Sequence, residues 1–93
     1  MRKTEKIRRY IRFSGAVQGV GFRYRACHAA EAVGATGWVS NEYDGSVSME
    51  IQGTEAQIDA VIQAIERGTY VLIENMSVKT IPLIDGEYSF RER

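Results

Sequence analysis

Along this chain the spacing of apolar residues alternates between a period of two and a period of about 3.6, and the changes fall at glycines or turn signals. Residues 7–13 alternate as a strand, with Ile7, Ile11 and Phe13 on one face and Arg8, Tyr10 and Arg12 on the other. Gly15, Gly19 and Gly21 then punctuate a short loop. Beyond it Phe22, Ala26, Ala29, Ala30 and Val33 recur at helical spacing, and Gly34 stands where a helix C-cap is expected. Residues 36–41 read as a second strand containing Trp38 and Val39, and residues 46–52 as a third in which Val47, Met49 and Ile51 alternate. Asp44-Gly45 between them is a hairpin signal, because a tight turn asks for the positive φ angles this dipeptide tolerates. Thr54 with Gln57 forms a capping box opening a second helix, whose apolar stripe is Ile58, Val61, Ile62 and Ile65 and which Gly68 closes. Residues 71–81 contain a fourth strand with Met76 and Val78 alternating, Pro82 interrupts, and residues 87–91 add a short last strand.

The order is therefore βαββαβ with a short extra strand. Two helices packed on one face of a mostly antiparallel sheet cover the apolar faces most economically, which predicts an α+β, ferredoxin-like sandwich with right-handed crossovers. A chain of 93 residues supplies one core, so residues 1–93 are expected to form a single domain burying roughly two thirds of its unfolded surface.

Charge and composition exclude several classes of function. Twelve Lys and Arg balance twelve Asp and Glu, leaving no basic field for nucleic acid or an acidic membrane. The beginning is locally basic, with Arg2, Lys3, Lys6, Arg8, Arg9 and Arg12 against Glu5, and reads as an end running into a charged strand face. Arg8, Tyr10 and Arg12 are the best support for an RNA-binding sheet, which lacks here its aromatic signature. One cysteine, Cys27, no apolar leader and no apolar run near ~20 residues predict a cytoplasmic protein without a membrane segment. Cys27 and His28 are adjacent and point about 100° apart on a helix, so no metal or other cofactor is expected. Cys27 reads as packing rather than a nucleophile, His28 as helix surface, and Trp38 and Phe22 as core.

The chemistry-bearing feature is the glycine-studded connection. A strand that enters such a loop and then a helix aims backbone NH groups and the positive end of the helix dipole at one point, which suits an anion. The segment lacks the last glycine of a dinucleotide fingerprint and the Lys-Ser or Lys-Thr of a nucleotide P-loop. Arg23 stands in the first helical turn, where the dipole disfavours a cation, and a bound phosphate would offset that cost through charge-assisted bonds. The residues alone leave both readings open: an anion cradle, or an ordinary connection followed by a solvated arginine.

Gly15-Ala-Val-Gln-Gly-Val-Gly-Phe-Arg23 resembles the first signature of the acylphosphatase family, and Gly37-Trp-Val-Ser-Asn41, continuing through Asp44-Gly45-Ser-Val47 to Gly53, resembles its second. That resemblance implies the ferredoxin-like fold and a metal-independent hydrolase acting on the carboxyl-phosphate bond of small acyl phosphates. It implies that Gly15, Ala16, Val17, Gln18, Gly19 and Val20, with Arg23, hold the phosphate, and that Asn41 orients the attacking water. Ala16 departs from the basic residue or threonine common there, which weakens substrate attraction but spares the backbone cradle. The stretch 70–73 and the C-terminal tail match only loosely.

A carboxylate leaves readily without a proton, so the missing general acid pair is no obstacle; positioning and charge stabilisation suffice for a loose phosphoryl-transfer transition state. Asn41 has a competing reading as a strand-end residue feeding the hairpin by local hydrogen bonds. A phosphate-binding module without turnover, like the acylphosphatase-like domain of hydrogenase-maturation carbamoyltransferases, is a rival reading that a chain standing alone at 93 residues disfavours. The protein is expected to act as a monomer on a small-molecule acyl phosphate.

Overall fold

The computed structural model describes residues 4–93, so Arg2 and Lys3 of the basic beginning lie outside the described residues. The elements are β1 (Ile7–Ala16), α1 (Phe22–Val33), β2 (Thr36–Asn41), β3 (Val47–Gly53), α2 (Glu55–Glu66), β4 (Leu72–Ile81) and β5 (Phe90–Glu92). They build one five-stranded sheet in the order β4-β1-β3-β2-β5, antiparallel except where β5 runs parallel to β2. Both helices lie on one face of this sheet, as the ferredoxin-like reading requires. Among the described residues no helix is long and apolar enough to cross a membrane.

The helix-covered face carries the core. Ile7, Ile11 and Phe13 of β1, Val39 of β2 and Val47, Met49 and Ile51 of β3 are buried against Phe22, Ala26 and Ala30 of α1 and Ile58, Val61 and Ile65 of α2. Phe22 meets Phe13 edge-on with ring centroids 4.9 Å apart. α2 opens on the expected capping box, in which Thr54 and Gln57 bond each other's backbone NH. Its last turn is capped at Arg67, and Gly68 follows the cap rather than forming it. The hairpin between β2 and β3 is pinned by Asp44, whose carboxylate accepts from the Ser46 NH at 3.0 Å and the Ser46 hydroxyl at 2.6 Å.

The opposite face departs from expectation. Arg8 is fully buried, not part of a solvated charged strand. Residues 82–89 leave β4 at one edge of the sheet, cross this polar face as a strap, and deliver β5 to the other edge. Under the strap, Arg8 donates to Glu87 at 2.7 Å and 3.3 Å, to Glu50 at 2.9 Å and to Gln52 at 3.2 Å. Gln52 in turn exchanges two hydrogen bonds with the Ile84 backbone, at 2.9 Å and 3.0 Å. Glu87 is thereby committed to Arg8, and the last strand begins at Phe90, three residues later than expected. Arg12 pairs with Asp44 at 2.7 Å and the Tyr10 hydroxyl lies 3.2 Å from that of Ser48, so all three residues that might have offered a basic strand to RNA are engaged internally.

Trp38 also belongs to this face: it is partly exposed and lies under the Arg93 guanidinium, 4.3 Å from the ring centroid, rather than in the core. Met76 and Val78 sit on the helix side of β4 but remain 42% and 49% exposed, because the helices lie over β3 and β2 and do not reach that edge.

Partial burial opposes the charge on Glu87, but the hydrogen bonds from Arg8 and Thr36 and the field of Arg8 outweigh it and hold the carboxyl below its usual range. A folded-state pKa below the unfolded one gives stability that is present above the ordinary carboxylate range and lost as pH falls through it. The strap is therefore expected to loosen on acidification below about pH 4. Thermal unfolding followed at pH 7 and pH 3 should show a steeper acid loss in the parent protein than in Glu87→Gln.

Candidate functional site

β1 continues to Ala16, three residues past the predicted strand end, because a bulge in the pairing with β4 between Ser14 and Gly15 keeps Gly15 opposite Ile73 and Ala16 opposite Leu72. Gly15 has φ 124°, and a Cβ there would collide with the Leu72 carbonyl and stand 2.8 Å from the Glu74 nitrogen. Glycine is the residue that permits this approach. Gly15 and Ala16 are thus the paired end of a strand, and the free loop is residues 17–21.

Within that loop each side chain has a different job. Val17 is 1% exposed and anchors the loop in the core. Gln18 turns toward the hairpin, where its Nε2 donates to the Glu42 carbonyl at 2.7 Å and the Ser46 carbonyl at 2.9 Å. Val20 packs partly against the core. Gly21 is the N-cap of α1 with φ 80° and ψ 15°, a left-handed conformation that a side chain would resist. No side chain caps this end, and the first turn holds no acidic residue. The first-turn NH groups and the dipole are left facing outward.

A cavity of about 130 Å³ opens at that helix end. Val17, Gly19 and Gly21 of the loop line it together with Arg23 and Tyr24 of α1, Asn41 at the end of β2 and Glu92 of β5. The structure therefore brings Val17, Gly19, Arg23 and Asn41 to one place. Gly15, Ala16, Gln18 and Val20 do not line it.

Asn41 is exposed, and the hairpin that follows is closed by the Asp44 carboxylate and by backbone bonds from Glu42 and Gly45. The local role that competed for Asn41 is filled by another residue. Arg23 is held from the C-terminal side: its Nη1 donates to the Arg93 carbonyl at 3.3 Å, and its Nε lies 3.7 Å from a Glu92 carboxylate oxygen. Glu92 and Arg93 were invisible to sequence reasoning, since nothing in Arg91-Glu92-Arg93 marks a contact 70 residues away along the chain. Gln18 was expected among the phosphate-holding residues, but nothing in the sequence marked its side-chain tie to the Glu42 and Ser46 carbonyls.

Cys27 and His28 do not line that cavity. Burial, with Glu92 adding, pushes the Cys27 thiol above its ordinary value, the direction that disfavours the thiolate. His28 is exposed on α1 with its ring 4.5 Å from that of Tyr24. Among the described residues no three His, Cys, Asp or Glu side chains converge as metal ligands would.

Comparison with known proteins gives a consistent answer. The family model for acylphosphatase matches residues 9–91. A protein from Geobacillus kaustophilus named acylphosphatase is 39% identical over 83 residues, which is 88% of this chain and 88% of the relative. The crystal structure of acylphosphatase from Bacillus subtilis superposes with a TM-score of 0.84 at 30% identity, covering 94% of this chain and 98% of that one. Full-length HypF, in its phosphate- and nucleotide-bound form, matches with a TM-score of 0.83 at 28% identity, over 99% of this chain and 12% of the larger one.

The two Gln18 bonds tie the loop to the hairpin, so Gln18→Ala is expected to destabilise the fold by about 2 kcal/mol, roughly one for each bond lost. Urea denaturation of the two proteins, compared at equal m-value, measures it.

Proposed function

The chain belongs to the acylphosphatase family, and from that premise we propose that it hydrolyses the carboxyl-phosphate bond of small acyl phosphates at the cavity shared by Arg23 and Asn41. The observation that carries the reading is that one small cavity, at an uncapped and acid-free helix N-terminus, is lined by a loop glycine, a guanidinium and a carboxamide drawn from three different parts of the chain.

The phosphate sits against the open NH groups of the loop and first turn of α1, a helix end with no side-chain cap and no acidic residue in its first turn. Arg23 adds charge-assisted hydrogen bonds to the equatorial oxygens, and takes them up in place of its long contact with Glu92. The backbone of residues 15–20 shapes this cradle, with Gly19 and Val17 nearest the anion and the strand end Gly15-Ala16 and the tie of Gln18 holding the loop in place. Ala16 contributes no charge.

The Asn41 carboxamide accepts from a water and aims its oxygen at phosphorus, in line with the acyl oxygen. A phosphorus–oxygen bond forms to the water as the bond to the acyl oxygen breaks, and the bonding pair departs on the carboxylate. The water's proton passes to a phosphate oxygen. Because the leaving group needs no proton and the positive charge comes from the NH groups and Arg23, the reaction requires neither a general acid pair nor a metal. One chain carries every residue involved, so each monomer is a complete catalyst.

The test is turnover of acetyl phosphate by the purified chain, with and without a chelator. Equal turnover in both is expected, Arg23→Ala should lose turnover and inorganic phosphate binding together, and Asn41→Ala should lower kcat by ~10² with a smaller change in KM. Full activity in Arg23→Ala would contradict the reading; phosphate binding without any turnover would favour a binding module instead.

A further inference from the structure

The sheet ends differently at its two edges. β5 closes one edge with three residues, a length that gives another chain little to pair with. β4 forms the other edge with ten, and among the described residues no strand lies on its outer side. Its side chains are exposed from Glu74 to Thr80, on the helix face as well as the polar one, because neither helix reaches over it. We propose that this edge pairs antiparallel with β4 of a second copy of the chain, in the register that sets Ser77 opposite Ser77, making a two-fold dimer with one continuous sheet. A dimer departs from the monomer expected from the sequence, which does not show which strand lies at the edge. No residue of β4 lines the cavity of Arg23 and Asn41, so the dimer is independent of the hydrolase reading.

Symmetry and residue chemistry together select the register. A two-fold axis normal to the sheet brings each helix-side residue opposite another helix-side residue, so the seam must centre on one residue that faces its own copy. Phe13 pairs with Met76 and Ile11 with Val78, which places Met76, Val78 and Thr80 on the helix side and Asn75, Ser77 and Lys79 on the polar side. Centred on Ser77, Met76 of each copy faces Val78 of the other, and four exposed apolar side chains meet on the helix side. On the polar side the two Ser77 hydroxyls meet, and each Lys79 faces Asn75, whose side-chain oxygen accepts from it. Centring on Met76 instead sets Glu74 against Val78, centring on Val78 sets Met76 against Thr80, and centring on Lys79 sets like charges face to face. The Ser77 register also lays the Glu74 end of each strand beside the Lys79 end of the other, so the two copies attract along the seam. Edges are commonly blunted by a bulge or a lysine. Here the bulge leaves out Glu74, beyond the central residues 75–79, and Lys79 meets an acceptor.

Sedimentation equilibrium from about 10 µM to about 1 mM, on the full chain and two variants, tests the pairing. The parent is expected to show a reversible equilibrium between one chain and two, as a small isologous interface gives. Val78→Lys, at an exposed position, sets a cation against Met76 at both symmetric places and should weaken association by about tenfold or more. Adding Met76→Glu to the same chain sets opposite charges across both places and should recover most of that loss. A parent that stays monomeric across the whole range overturns the second copy as occupant and leaves the edge to a strand of a different protein. A dimer unmoved by Val78→Lys, or a loss that adding Met76→Glu does not reduce, overturns the pairing of Met76 with Val78 and the proposal with it.

Discussion

Two hydrogen bonds from one carboxamide hold the site in register. Gln18 reaches from the loop after β1 to the carbonyls of Glu42 and Ser46, the two ends of the β2–β3 hairpin. Asn41 immediately precedes Glu42, so fixing the hairpin against the loop also fixes where Asn41 stands relative to the start of α1. Loops of this kind are ordinarily the mobile part of a fold; here the loop is tied by Gln18 on one side, sunk into the core by Val17, and launched from a strand end that Gly15 lets approach β4 closely. Preorganisation of this sort is what a reaction needing position and charge, and little proton transfer, requires.

The strap supplies the other half of the support. By crossing the polar face from β4 to β5 it places the C-terminal residues beside Arg23, where the Arg93 carbonyl and the Glu92 carboxylate restrain the guanidinium. Arg8 makes this possible, because a buried cation must be satisfied: Glu87 of the strap closes over it, and Gln52 beside it bonds the strap backbone at Ile84. Stability on one face of the sheet and geometry at one end of it are therefore linked through the tail.

Most of the scaffold was legible from the sequence, and the reason is local. The period-two run of Val47, Met49 and Ile51, the capping box of Thr54 and Gln57 and the glycine turns state their structure within a few residues. Gly15, Gly19 and Arg23 pointed to the proposed anion site through chemistry that breaks a local rule, the cation at a helix start. What the sequence hid was long-range. Arg8 reads as solvent-facing until a strap 79 residues away covers it, and Trp38 reads as core until the sheet shows which face it occupies. The boundary between β1 and the loop was misplaced because Gly15 looks like a loop residue, while a bulge keeps it in the sheet. The C-terminal restraint on Arg23 depends on β5 pairing with β2, a contact no periodicity encodes.

The central claim is that a water placed by Asn41 attacks the phosphorus of a phosphate gripped by the loop and Arg23, and not the acyl carbon. Hydrolysis of an acyl phosphate by the purified chain in isotopically labelled water, with the products separated and weighed by mass spectrometry, distinguishes the two bonds. The account predicts that the solvent oxygen appears in the inorganic phosphate. Solvent oxygen in the carboxylate would contradict it, because the attack would then fall on the carbon that this site does not address.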